Sequence, residues 1–351
     1  MTDKNDILWM QCAIEQAKLG FGLTSPNPIV GAVVVKDDQL IGQGYHHKAG
    51  TPHAEPNALD DALRNAPGAV KGATLYVTLE PCSTYGRTPP CTKRIIEEGI
   101  GRVVIGALDR NPLYCGAAVK ILQAAGITVE TGVLADECEK MNESFFWWIT
   151  QKKPFVLLKL AMTLDGRIAT ANGSSQWITG SPACEKVQEM RRWADAIMVG
   201  GATVLADNPS LTVRSPANWP RQPKRFVWTS QKQLPPGCKL LTDGNPLPEL
   251  VKPISTEEWS SFLQELGKQN ITALLLEGGG ELAAAALHAG AVNKVAFFVA
   301  PKILGGRNAR PVVGGIDALS LDDALALDDF HAEPIGNDIL LTGYRKIGGR
   351  D

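Results

Sequence analysis

His53-Ala54-Glu55, Pro81-Cys82 and Cys91 are the residues of this sequence whose types and spacing can do chemistry. One imidazole and two thiols can hold a zinc ion through three protein ligands, leaving a fourth position open. A catalytic zinc needs that open position, because a water placed there loses a proton near neutral pH. Glu55, close to the imidazole, stands where a carboxylate can shuttle protons between such a water and a substrate. The bland alternative makes His53 a surface histidine and both cysteines core fillers. A His-x-Glu triplet alone is weak, and a second copy shows why. His331-Ala332-Glu333-Pro334 repeats His53-Ala54-Glu55-Pro56, yet no Pro-Cys or cysteine follows it. Turn residues surround His331, so a plain loop is the expectation there. A purely structural zinc would require a fourth protein ligand, and His46 and His47 are the nearest candidates, read here as loop residues.

Regular elements must bring these groups together, and the sequence alternates strand and helix from end to end. Ile7 to Leu19 reads as a helix closed by Gly20, Val30 to Val35 as a strand, Glu55 to Arg64 as a helix and Thr74 to Leu79 as a strand. Thr92 to Glu98 and Val119 to Ala125 follow as helices, Arg102 to Gly106 and Thr128 to Glu130 as strands. His53 and Cys91 therefore open two helices, where the helix dipole favours thiolate charge. Met141 to Trp148 reads as one helix whose aromatic end, Phe145 to Trp148, packs on a neighbour within the domain or on another subunit. Gln151-Lys152-Lys153-Pro154 breaks the pattern and places a domain boundary, giving 1–150 and 151–351. Beyond it, Phe155 to Ala161, Ala196 to Val199, Lys224 to Trp228, Ala273 to Leu276 and Val295 to Val299 read as strands. Helices fit Ser181 to Trp193, Thr256 to Leu266 and Glu281 to Ala289. Apolar strands between amphipathic helices predict α/β layers with sheets covered on both faces.

The second half carries its own signal. The strand Ala273 to Leu276 runs into Glu277-Gly278-Gly279-Gly280 and then a helix. Glycines at such a turn let backbone N–H groups close on a phosphate at a helix N-terminus. They also serve plain tight turns, and their late position argues against a Rossmann domain.

Composition bounds the rest. A chain of 351 residues predicts about two domains. Thirty-five basic against 37 acidic side chains leave a formal charge of −2, which lacks the basic excess of a nucleic-acid binder. The polar start Met1-Thr2-Asp3-Lys4 lacks a signal-peptide profile, and no apolar run is long enough to span a bilayer, so the expectation is a cytoplasmic protein with no membrane partner. Seven cysteines then read as reduced, with Cys12, Cys115, Cys138, Cys184 and Cys238 as buried or incidental thiols.

The His-x-Glu and Pro-Cys arrangement resembles the zinc-dependent cytidine and nucleobase deaminases. Eight residues, Ser83 to Pro90, separate the cysteines, and Ser25-Pro26-Asn27-Pro28-Ile29-Val30-Gly31-Ala32-Val33 lies upstream. This branch resembles the deaminase half of the bifunctional riboflavin-biosynthesis enzymes, whose loop carries one or two histidines where this chain has Thr84 and Tyr85. Lys159-Leu160-Ala161-Met162-Thr163-Leu164-Asp165-Gly166-Arg167, Ser175-Gln176-Trp177-Ile178-Thr179, Gly200 to Pro209 and Leu211-Thr212-Val213-Arg214 resemble the reductase half of the same family, in the same order. The resemblance implies a cytidine-deaminase-like three-layer α/β/α domain followed by a dihydrofolate-reductase-like α/β domain. It implies zinc on His53, Cys82 and Cys91 with Glu55 as proton shuttle, and Asn27 facing the pyrimidine, where a turn-forming Asn before Pro is the alternative.

For the second half the resemblance implies NADPH on Ala161, Trp177, Thr203, Asp207 and Gly279, Gly280, Glu281, Leu282, Ala283, Ala284 and Ala285. It implies substrate on Ser175, Arg191, Leu211, Arg214 and Glu277, with the two arginines as forks for a ribose phosphate. Lys159 and Asp207 are the candidates for polarising or protonating the sugar. The alternatives are surface arginines, a core Trp177 and a turn-forming Asp207. The implied function is hydrolytic deamination of 2,5-diamino-6-ribosylamino-4(3H)-pyrimidinone 5′-phosphate, then NADPH-dependent reduction of the ribosyl group to ribityl, by a homo-oligomer. A tRNA adenosine deaminase fused to an unrelated domain is the enzyme rival, and a module with structural zinc is the rival from another class.

Overall fold

A strand that is apolar at every position must be covered on both faces, and that requirement organises the whole chain. The computed structural model describes residues 4–85, 89–112 and 114–346. It divides into two compact units, Met1–Lys152 and Lys153–Asp351. Met1-Thr2-Asp3 and, between the two cysteines, Gly86-Arg87-Thr88 lie outside the described residues. No helix among the described residues is long and apolar enough to cross a membrane.

The first unit runs α1 (Lys4–Lys18), β1 (Gly31–Lys36), β2 (Gln39–Tyr45), α2 (Ala54–Asn65), β3 (Thr74–Leu79), α3 (Cys91–Glu97), β4 (Arg102–Ala107), α4 (Ala117–Ala124), β5 (Thr128–Thr131), α5 (Ala135–Met141) and α6 (Glu143–Gln151). Its strands form one sheet in the order β2-β1-β3-β4-β5. The hairpin partner β2 and the strand β3 run antiparallel to β1, whereas β3, β4 and β5 are parallel. Alternate residues of β1 serve opposite cores, as the two-residue period of a strand dictates. Ala32 and Val34 join Leu59 of α2, Ile95 of α3 and Leu122 of α4 on one face. Val33 and Val35 join Met10 and Ile14 of α1, Cys138 of α5 and Phe146 of α6 on the other. The result is a three-layer α/β/α unit.

Three features escape the sequence pattern, α5 among them. β2 is absent from it because Gly42 and Gly44 weaken the strand signal. Their reason is proximity: a Cβ at Gly42 would lie 2.4 Å from the Ala58 carbonyl oxygen, and one at Gly44 2.5 Å from the Ala58 nitrogen. α2 can therefore lie flat on β2. The expected continuous helix from Met141 is instead broken at Asn142, whose buried side chain accepts the Ile29 N–H and donates to the Ile29 carbonyl, both at 2.9 Å. Satisfying that backbone pair outweighs continuing the helix. Of the aromatic run, Phe146 is buried in its own unit, with the Arg110 guanidinium 5.2 Å over its ring.

The second unit runs β6 (Phe155–Thr163), β7 (Arg167–Ala169), α7 (Ser181–Trp193), β8 (Ala196–Gly200), α8 (Gly201–Asp207), β9 (Lys224–Trp228), α9 (Lys239–Thr242), β10 (Glu249–Val251), α10 (Thr256–Lys268), β11 (Ala273–Glu277), α11 (Gly280–His288), β12 (Lys294–Ala300), β13 (Arg310–Pro311), β14 (Leu327–Ile335) and β15 (Asp338–Arg345). Eight strands form its main sheet in the order β10-β9-β8-β11-β6-β12-β15-β14. The first six are parallel and the last two antiparallel additions. α10 and α11 cover one face through Trp259, Leu263, Leu282 and Ala286. Ala183, Val204 and Leu240 from α7, α8 and α9 cover the other.

His331 corrects an expectation. It lies in β14, not in a loop, with its ring 2.8 Å from Asp329. β14 is an exposed edge strand, where Pro334 and charged residues are tolerated because the outer side makes no ladder bonds. Those residue types had read as turn chemistry.

One buried acid ties the first unit together. Asp6 of α1 accepts bonds from the Arg102 guanidinium at 2.7 and 2.8 Å and from the Tyr76 hydroxyl at 2.8 Å. The Arg102 bond holds the Asp6 carboxyl below the usual carboxylate range against the opposing effect of burial. Because the folded pKa is the lower one, the stabilisation is complete above the unfolded pKa of about 3.9 and fades as pH falls through the folded value. Asp6→Ala is expected to cost about 2 kcal/mol at neutral pH and to flatten the acid limb of stability, read by hydrogen exchange at β3 and β4.

Candidate functional site

The first unit gathers the three expected ligands. α2 begins at Ala54 with His53 as its N-cap residue, α3 begins at Cys91, and Cys82 follows the end of β3. The His53 Nδ1 lies 3.6 Å from the Cys82 Sγ and 3.4 Å from the Cys91 Sγ, and all three ligand atoms fall within 4.8 Å of one another. Zn–S bonds of about 2.3 Å and Zn–N bonds of about 2.0 Å at tetrahedral angles put N and S about 3.5 Å apart, so the residues fit a zinc ion. The Cys91 N–H donates to the Cys82 Sγ at 3.2 Å, as a helix N-terminus does for an anion. The Cys82 thiol is held well below the usual thiol range, first by the Cys91 thiol and then, against burial, by His53 and that N–H.

Glu55 is 3% exposed, and burial pushes its carboxyl up to about 7, helped by the charge of Cys82 and opposed by His53. A carboxyl near neutrality can both take and return a proton. His46 is buried and not available as a ligand. Its Nδ1 faces the Pro52 carbonyl and its Nε2 the Asn27 side-chain amide, both at 3.1 Å, with its ring edge-on to His53. His47 is exposed and stacks on Tyr45. Among the described residues the metal-binding group is these three side chains, which keeps a corner free of protein ligands. Asn27 is thus tied to the site through His46. Tyr85 is 71% exposed.

Glu80, next to the Pro-Cys pair, carries a role the sequence pattern did not show. Its buried carboxylate accepts the N–H groups of Asp109, Gly116 and Ala118 at 2.9 to 3.1 Å. It thereby ties the loop after β4 and the start of α4 to the end of β3, where Cys82 follows.

The second unit opens a cavity of about 1270 Å³ at the carboxyl ends of its parallel strands. That is where open α/β sheets bind ligands. Lys159, Ala161, Ser175, Trp177, Arg191, Thr203, Asp207, Leu211, Arg214, Glu277, Gly279, Gly280, Glu281 and Leu282 all line it. Ala283, Ala284 and Ala285, further along α11, do not, and Ala283 is fully buried in the core. The turn after β11 needs its glycines: Gly278 and Gly279 have φ of 81° and 90°, and a Cβ at Gly279 would meet Thr203 Oγ1 at 3.2 Å. This cradle and the nine-residue α11 behind it fit a nucleotide's phosphates.

Trp177 is not core packing. It is 74% exposed at the cavity rim, its loop held by Lys302, whose ammonium donates to the carbonyls of Trp177 and Ile178 at 2.9 and 2.7 Å. Arg191 is no surface group either. It is 8% exposed, and its Nε and Nη2 donate to the two Glu277 oxygens at 2.7 Å each, while Nη1 reaches the Thr212 carbonyl. Arg214 is the exposed cation, with Nη1 on Ser210 Oγ at 2.8 Å. Leu211 keeps its side chain in the core and holds φ at 54°. Asp207 accepts the Ser175 hydroxyl at 2.6 Å. Lys159 sits beside Glu277 on the neighbouring strand, and burial lowers its pKa against the attraction of Glu277.

Comparisons with known proteins agree with this geometry. Residues 3–107 match the cytidine and deoxycytidylate deaminase zinc-binding region, and residues 154–341 match the RibD C-terminal domain. The chain is 42% identical to the riboflavin biosynthesis protein RibD of Actinobacillus pleuropneumoniae, covering 96% of this chain and 94% of that one. It is 41% identical to the protein of the same name from Escherichia coli, over 86% and 89% of the two chains. Among solved structures, Acinetobacter baumannii RibD superposes with a TM-score of 0.86 at 40% identity, covering 98% of this chain and 99% of that one. A Thermotoga maritima diaminohydroxyphosphoribosylaminopyrimidine deaminase/5-amino-6-(5-phosphoribosylamino)uracil reductase gives 0.87 at 36%, covering 97% and 99%.

The ligand geometry sets a metal prediction. Purified protein is expected to carry about one zinc per chain by elemental analysis, and Cys82→Ser or Cys91→Ser to lose most of it. Full zinc retention in both variants would remove the thiols from the coordination shell.

Proposed function

This chain belongs to the RibD family, the bifunctional deaminase–reductases of riboflavin biosynthesis, and from that membership we propose how its own residues divide the two reactions. The first unit deaminates the ribosylaminopyrimidine 5′-phosphate, and the second reduces the ribosyl group of the product to ribityl. The observation that carries the reading is the tetrahedral spacing of His53, Cys82 and Cys91 beside a buried Glu55.

His53, Cys82 and Cys91 would hold zinc there, which would supply a nucleophilic water at neutral pH. Glu55 takes a proton as the water adds to the amino-bearing ring carbon and returns it to the departing nitrogen, which leaves as ammonia. His46 holds the Asn27 amide by one hydrogen bond, so Asn27 meets the pyrimidine with its other atoms. NADPH held in the second unit would supply the hydride for the ribosyl C1 of the opened, imine-like sugar. Lys159, whose ammonium burial makes readier to give up its proton, protonates the nitrogen. Asp207, fixed by Ser175, and Glu277, fixed by Arg191, orient the sugar hydroxyls. The fork of Arg191 is engaged by Glu277, so Arg191 acts through that carboxylate, and of the two arginines Arg214 is the one free of a carboxylate to meet the substrate phosphate. Ala161, Trp177, Thr203 and the Gly279 to Leu282 turn receive the cofactor.

We place the protein in the cytoplasm, where its thiols stay reduced. We assign it a homo-oligomeric state, supported by Ile316, Leu319 and Leu321, each more than 90% exposed. The formal charge of −2 supports a small-molecule substrate over nucleic acid.

The two activities separate by mutation. Glu55→Gln is expected to lower ammonia release by about 10²- to 10⁴-fold while NADPH oxidation on the deaminated substrate persists. Loss of both would make Glu55 structural. Arg214→Ala is expected to raise the reductase KM for the phosphorylated substrate by about tenfold, with the NADPH KM little changed. The opposite order would reassign this arginine to the cofactor.

A further inference from the structure

The segment 208–214 carries Arg214 to the cavity, yet it belongs to no helix or strand. It holds two non-glycine residues in the left-handed region, Asn208 at a φ of 43° and Leu211 at 54°. Such residues persist only where their surroundings over-determine them. Side chains from outside the segment do so here. Gln222 accepts the Val213 N–H at 2.8 Å and donates to its carbonyl at 3.1 Å, and Gln188 of α7 accepts the Arg214 N–H at 2.7 Å. Arg225 of β9 donates its Nη1 to the Ser210 carbonyl at 3.0 Å. Arg225 is only 3% exposed, in a parallel strand where an aliphatic residue would be ordinary. Its guanidinium also meets both Asp243 oxygens, at 2.5 and 3.2 Å, and the carbonyls of Leu240 and Pro246 at 3.3 and 2.7 Å. Neither Arg225 nor Asp243 lines the cavity.

We propose that Arg225 and Asp243 are positioning residues for the substrate phosphate, acting through Ser210 to fix the place of Arg214. The Ser210 hydroxyl accepts Arg214 Nη1 at 2.8 Å, so the residue whose carbonyl Arg225 grips is also the one that aims the Arg214 fork. This role rests on the reading of Arg214 as the arginine that meets the phosphate. A buried ion pair adds little net stability over a well-packed apolar pair, so its presence calls for a second reason. Geometry supplies one. A planar guanidinium offers donors in fixed directions and can tie the Ser210 turn to the chain after α9, which a single ammonium cannot do in the same way. Arg214 itself is exposed, and a long free side chain loses rotamer freedom when it binds an anion. Holding it on a fixed Ser210 reduces that loss before the phosphate arrives.

The test compares the deaminated substrate with the same compound lacking its phosphate, in the reductase reaction of the full-length protein. Arg225→Lys and Asp243→Asn are made in the unaltered chain and again in Arg214→Ala. Each is expected to raise the KM for the phosphorylated substrate by about five- to tenfold, while kcat and the NADPH KM move less than about twofold. The kcat/KM for the unphosphorylated compound is expected to stay the same. In the Arg214→Ala background neither substitution should add a further loss, as members of one chain of contacts behave. Asp243→Asn keeps the side-chain shape and leaves Arg225 its carbonyl partners, so it carries the test even where Arg225→Lys does not fold. Equal losses on both compounds, an undiminished loss on top of Arg214→Ala, or an unchanged KM would overturn the proposal while leaving Arg214 on the phosphate. An Arg214→Ala variant that still favours the phosphorylated compound as strongly as the unaltered chain would instead sink the reading of Arg214, and this role with it.

Discussion

The first unit depends on two helices starting at the same point in space. α2 delivers His53 at its N-cap and α3 delivers Cys91 as its first residue, while the end of β3 supplies Cys82 between them. Exposed amide hydrogens at a helix start make an otherwise costly cluster of thiolates tolerable, and the Cys91 N–H on the Cys82 sulfur is the visible instance. The same meeting point places Glu55 in the first turn of α2, too deep for water to solvate its charge. Ligand set, proton carrier and their burial thus follow from one piece of backbone geometry.

The second unit solves a different problem with the same ingredients. Parallel strands all end on one side, so their loops pool polar groups at a single rim. Some groups there are held in advance: Arg191 is paired with Glu277, and Asp207 accepts the Ser175 hydroxyl. Pairing a buried guanidinium with a carboxylate avoids the heavy cost of leaving either alone in an apolar wall. Arg214, Lys239 and Lys252 line the same cavity and supply the positive charge that anionic ligands require.

How much of this was legible beforehand depended on sequence distance. His53, Cys82 and Cys91 could be read because metal ligation restricts residue type and because strand and helix signals flank each one. The glycine turn after β11 could be read for the same reason. The Arg191–Glu277 pair could not, since 86 residues separate the partners and each alone looks like an ordinary surface charge. β2 and β14 were missed because glycine and proline count against strands, and only tertiary context shows why they are admitted. Arg225 lay beyond reach as well, because nothing local marks a buried arginine in a short strand. The break at Asn142 belongs to this class, being caused by a backbone pair 113 residues away.

Gly42 and Gly44 carry a wider consequence. Their bare α-carbons set the thickness of the layer between hairpin and α2, with less than 3 Å to spare for any side-chain atom. Even an alanine at either position would lever α2 outward, and Glu55 and His53 ride on the end of that lever. Random mutagenesis of this hairpin should therefore produce inactive proteins whose every catalytic group is still encoded. A screen that scored only the chemical residues would overlook them.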